Sequence, residues 1–114
     1  KALATNPSNP NVRAAWHLVL AMALAGSGDA QQAREHAQQG VKEVPSSFDK
    51  LEGPAWVDYA LMVDAMNGDA AHAVAGLRSH LGTPASFLSP ALLTLDPTFD
   101  PIRADPGFQA LAKK

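Results

Sequence analysis

The sequence predicts an all-α protein made of paired helices, and three observations lead there. Sliding the 114 residues on themselves by 40 brings one stretch into register, with eight of the nineteen positions from 15 to 33 identical to their partners. The matches include Ala15-Trp16 with Ala55-Trp56, Met22 with Met62, and Gly28-Asp29-Ala30 with Gly68-Asp69-Ala70. Each copy joins an apolar segment to a more polar one with three- and four-residue spacing, the pattern of an inner and an outer helix. Between the two segments stands Gly-Asp, a residue that ends one helix followed by a residue that starts the next.

The elements follow in order. Residues 1–10 read as the end of a truncated preceding unit, because Lys1-Ala2-Leu3-Ala4 and the turn after it lack a first helix of their own. Residues 11–45 form the first hairpin. Its inner helix, over 12–26, is apolar on nearly every side through Val12, Trp16, Leu18, Val19, Leu20, Met22 and Leu24. The outer helix, over 30–43, keeps only a narrow stripe of Ala30, Ala33, Ala37, Gly40 and Val41. Residues 46–54 are a loop, and 55–84 repeat the hairpin with an inner helix over 55–67 and an outer one over 70–82.

From 85 to 114 the texture changes to a capping segment. Ser89-Pro90, Asp96-Pro97, Asp100-Pro101 and Asp105-Pro106 each set a capping residue before a proline, which suits the first position of a helix. Short helices near 90–95, 100–104 and 106–113 are expected, with Leu92, Leu95, Phe99, Ile102, Phe108 and Leu111 pointing inward. Together they would cover the open apolar edge of the last hairpin.

Composition narrows the chemistry. Nine Lys+Arg against eleven Asp+Glu leave a net charge of −2, which speaks against a nucleic-acid surface. The absence of cysteine removes disulfides, thiolate metal sites and thiol nucleophiles. The longest apolar run, 14–26, falls short of the roughly 20 residues a membrane-spanning helix needs, so no direct membrane insertion is expected. The four histidines, His17, His36, His72 and His80, show no i, i+4 pair that would set two metal ligands on one helical face. His17 stands out because it lies within an otherwise apolar helix. Asp58 and Asp64 are six apart, roughly 120° round a helix, and do not face each other. Neither a phosphate-binding glycine loop nor a Gly-x-Ser-x-Gly elbow occurs. The expectation is a protein that is not an enzyme, with no cofactor and no metal.

The hairpin pattern resembles the tetratricopeptide repeat (TPR), an α-α superhelix of stacked hairpins. The first unit carries Leu20, Ala21, Gly28, Asp29, Ala33 and Pro45 at that family's spacing. The second carries Gly68, Asp69 and Ala73, but has Leu61 where a small residue is usual and Pro84 one place early. The stretch from Leu95 to Leu111 resembles the C-terminal ends of bacterial multidomain TPR proteins, in which repeats follow a winged-helix regulator, a Ser/Thr kinase or a nucleotide cyclase.

That resemblance implies a scaffold whose inner helices line a concave face. Carried over by the Gly-Asp register, the partner-binding residues would be Leu18, Met22, Asp58, Tyr59, Met62 and Met66, beside Ala15, Val19, Ala25 and Ala65. Methionines suit adaptable apolar contact with a protein or peptide partner. The competing reading of the same stripe is plain core packing. An alternative function is the regulatory or oligomerisation arm of a larger bacterial signalling protein, with its own missing effector domain or a second copy as partner. A third, a sensor built on His17 and Asp58, has the least support. The alanine-rich chain and its tail suggest a bacterial protein, cytoplasmic or periplasmic.

Overall fold

A computed structural model describes residues 9–44 and 53–113. Within them lie helices α1 (Pro10–Gly26), α2 (Ala30–Glu43), α3 (Gly53–Met66), α4 (Ala70–His80), α5 (Pro90–Leu95) and α6 (Pro106–Ala112), with a 3-10 helix (Pro97–Ile102) between the last two. No strand occurs among the described residues, so the chain is all-helical there. The expected end of an earlier unit falls almost wholly outside the described residues, as do Pro45 and most of the 46–54 loop.

The 40-residue repeat reappears in the backbone. Asn9 caps α1, its side chain accepting from the Asn11 N–H at 2.9 Å, and Pro10 opens the helix. At the far end Gly28 takes a φ of +92°, and Gly68 takes +76° at the end of α3. These left-handed turns suit a residue without a Cβ. The Asp29 N–H then donates to the Leu24 carbonyl at 2.9 Å, and the Asp69 N–H to the Asp64 carbonyl at 3.0 Å. Both aspartates cap the next helix: Asp29 accepts from Gln32 N–H at 3.2 Å and Asp69 from His72 N–H at 3.1 Å. α1 and α3 each begin two residues before the expected start, and α4 ends at His80, two residues before the expected stop.

Small residues let each helix pair close. Ala14, Ala21, Ala33 and Ala37 are buried between α1 and α2. A Cβ on Gly40 would collide with Leu18, and one on Gly76 would collide with Leu61. The second contact accounts for the unexpected bulk at 61. Leu61 fills space that Gly76 leaves open on α4, whereas the first hairpin has Ala21 and His36 at the corresponding positions. Polar contacts among the described residues tie the hairpins to each other. Trp56 Nε1 donates to Asn11 Oδ1 at 2.8 Å, Arg34 Nη2 to Asp69 Oδ2 at 3.0 Å, and Asn67 Nδ2 to the Ala30 carbonyl at 3.3 Å.

The C-terminal segment covers α3 and α4. Leu88, Leu93, Phe99, Ile102, Phe108 and Leu111 share one buried cluster with Leu61, Ala65, Ala73, Val74 and Leu77. Ser89, Asp96 and Asp105 cap their helices as expected, accepting from the N–H groups of Leu92, Thr98 and Phe108. Two expectations need correction. Leu95 is 78% exposed while Leu93 is fully buried, because a six-residue helix turns only part of its surface inward and here Leu93 occupies it. Asp100 does not start a helix over 100–104; it lies inside the 3-10 helix and pairs with Arg103 at 2.9 Å. Arg103 organises this corner. It donates to the carbonyls of Leu93, Thr94 and Asp96 at 2.8–3.0 Å, satisfying acceptors at the end of α5.

Candidate functional site

The residues expected on a concave binding face separate into two groups. Leu18 is 2% exposed and Asp58 fully buried, so neither reaches a partner from this structure. Met22 and Tyr59 are half-buried against the cluster of the first hairpin, and Met62 against that of the second. Met66 is half-buried and lines a shallow cleft with Ala25, Gly26, Pro97, Thr98 and Pro101. The core-packing reading therefore holds for Leu18, and Asp58 has a different task.

Asp58 is the buried centre of a polar knot. Its Oδ1 accepts from Ser86 Oγ at 2.8 Å and lies 2.9 Å from His80 Nε2, while its Oδ2 accepts from the Phe87 N–H at 2.8 Å. His80 Nε2 also lies 3.1 Å from the Pro54 carbonyl. Ala85, in a left-handed conformation with φ +69°, turns the chain so that Ser86 and Phe87 meet the carboxylate. The trio has the composition of a serine-hydrolase triad but a different wiring. The hydroxyl donates to the carboxylate, and the imidazole meets that same carboxylate oxygen, whereas a triad needs the imidazole to accept from the hydroxyl. The knot fastens the covering segment to α3.

The histidines pair across helices, which single-helix spacing cannot reveal. His80 meets Asp58, His72 Nδ1 lies 3.6 Å from Asp64 Oδ2, and His17 Nδ1 lies 3.1 Å from His36 Nδ1. Burial pushes the Asp64 carboxyl above its ordinary range, with Asp69 adding to the rise and His72 and Arg34 opposing it. Asp64, Asp69 and His72 could supply three ligand atoms within 4.8 Å of one another. The Arg34 guanidinium already brings positive charge to Asp69, whose other oxygen caps α4.

The exposed apolar surface lies on α1. Val12, Ala15, Trp16 and Val19 line a groove of about 410 Å³ with Asn11 and Trp56. Val12 is 41% exposed, Trp16 42% and Val19 62%. These side chains belong to two adjacent stripes of one helix, and among the described residues no charged side chain lines the groove. An aromatic row continues from it: Trp56 lies 5.9 Å from Tyr59, and Tyr59 lies 5.1 Å from Phe87, which is itself 41% exposed. Ala15, Val19 and Tyr59 were legible as surface candidates from the inner-helix register. Val12 and Trp16 were not, since they read only as part of an apolar segment. The exposure of Trp16 is visible only once α2 and α3 are seen to occupy other sides of α1.

Fold and face together define an all-α protein of two helical hairpins under a C-terminal cover, with an apolar groove on its first helix. Comparison with family models, curated proteins and solved structures yields no match to this chain. Among the described residues no helix is long and apolar enough to cross a membrane.

Proposed function

We infer that this chain is a TPR-type protein-interaction module without chemistry of its own, and that its binding face is the α1 groove extended by Trp56, Tyr59 and Phe87. The observation that carries this reading is the cluster of exposed Val12, Trp16 and Val19 on a helix whose other sides are packed. Large apolar side chains gathered on one face, with aromatics among them, suit a partner that docks a hydrophobic segment. An amphipathic helix laid along α1 would cover the groove with its apolar stripe. The repeated Gly-Asp turns and paired helices support the TPR assignment.

Placing a charge in the groove tests the binding role. Val12→Glu/Val19→Glu replaces two exposed residues, so the helical circular dichroism should match that of the wild type. A protein retained from bacterial lysate by the wild type should be lost by the variant. Equal retention by both would contradict the assignment.

A second reading draws support from the cover formed by α5, the 3-10 helix and α6. It seals the α3–α4 side and leaves the α1 groove as the open apolar face among the described residues. This arrangement fits the terminal arm of a larger bacterial signalling protein, with the groove received by an effector domain of the same chain or by a second copy. Loss of self-association in the Val12→Glu/Val19→Glu variant at high concentration, seen by light scattering, would favour the second-copy version. A wild type monomeric under those conditions would remove it.

A further inference from the structure

His17 of α1 and His36 of α2 meet at the seam of the first hairpin. Their Nδ1 atoms are 3.1 Å apart, their ring centroids 5.3 Å apart, and their planes inclined by 28°. The centroid separation exceeds the nitrogen separation by about the depth of two half-rings. The imidazoles are therefore placed edge to edge, nitrogen to nitrogen, rather than face over face.

Two Nδ1 atoms so close require one hydrogen between them. Two bare lone pairs repel, and so do two opposed N–H groups. A neutral pair satisfies this with opposite tautomers, one ring donating and the other accepting. A pair with one added proton also satisfies it, through a charge-assisted bond. A second added proton puts an N–H on both facing nitrogens and two positive charges at the same seam.

We propose that the His17–His36 bridge is a proton-sensitive clasp of the first hairpin, closed with no or one added proton and broken by the second. Among the described residues, charged and titratable groups stand on each helix packed around the seam. On α1, Arg13 lies one turn before His17 and is paired with Glu43 of α2 at 2.9 Å. On α2, Glu43 draws a proton toward His17, and the exposed Glu35 adjoins His36 in sequence. On α3, Asp58 and Asp64 pair with His80 and His72 of α4, and Tyr59 packs on Trp56 and Phe87. Burial lowers the proton affinity of His17, the charge of His36 lowers it further, and Glu43 opposes both. The unfolded chain therefore binds this proton more tightly than the folded one. Stability contributed here is present above about 6.5 and is lost as the pH falls from there through the lower folded-state value.

Imidazole nitrogen-15 spectra of the full chain from pH 8 to pH 4, with thermal unfolding over the same range, test the clasp in wild type, His17→Gln and His36→Gln. His36 is the safer substitution, lying on the more polar outer helix. In the wild type the pair should titrate in two steps more than about one pH unit apart. In each variant the remaining histidine should titrate in one step, and the fall in melting temperature between pH 7 and pH 5 should shrink. If one variant fails to fold, the other variant and the wild-type spectra decide. Two wild-type histidines titrating independently at the midpoints found in the single variants would overturn the proposal, as would an unchanged pH dependence of melting.

Discussion

Single half-buried groups in this chain carry opposite responses to acid. Asp64 holds its proton more tightly when folded than when unfolded, because burial disfavours its charge more than His72 and Arg34 favour it. Stability from this group is present below the ordinary carboxylate value of about 3.9 and is lost as the pH rises through the higher folded-state value. Asp64→Asn should therefore gain stability over the wild type on going from pH 4 to pH 7, measured by thermal melting at each pH. A variant that loses stability relative to the wild type on going from pH 4 to pH 7 would show that the His72 contact outweighs the burial. The His17 response has the opposite sign and its window runs downward from about 6.5, so comparing Asp64→Asn with the histidine variants separates the two groups. At this scale the sequence was least legible. Asp58 and Asp64 lie six apart on one helix and His72 and His80 eight apart on the next. Their pairing as 58 with 80 and 64 with 72 depends on how α4 returns along α3.

Elements were more legible than side chains. The bounds of α2 agree with the polar pattern at both ends, because Asp29 is a capping residue after a glycine turn and the narrow alanine stripe has a clear period. The short helices of the cover were legible through their capping residues and prolines, but not through their inward faces. A single turn offers too few residues for periodicity to distinguish Leu92, Leu93 and Leu95. The contrast supplies a measurement. Leu93→Ala should destabilise the fold by about 2–5 kcal/mol, as deletion of a fully buried leucine does, while Leu95→Ala should change it by less than about 0.5 kcal/mol. Chemical denaturation of the two variants checks both figures, and similar losses would place the cover differently on α4. Arg103 had no signal in the sequence, since its carbonyl partners become neighbours only when α5 and the 3-10 helix fold back together.

For the whole molecule, the two-hairpin plan was readable from the 40-residue repeat, and the closing segment from its change of texture. The proposed binding face was readable only in part, because an apolar inner helix is equally suited to core and surface until its neighbours are placed. Leu18 went to the core, while Trp16, two residues away, remained 42% exposed. The proposed function places the partner in the α1 groove and not on the outer helices. A photo-cross-linking side chain placed at Val19, and in a parallel variant at the exposed Gln38 of α2, tests it most directly with the full chain in bacterial lysate. A discrete adduct is expected from position 19, absent from position 38 and suppressed by Val12→Glu. Adducts of the same kind from position 38, with none from position 19, would contradict it.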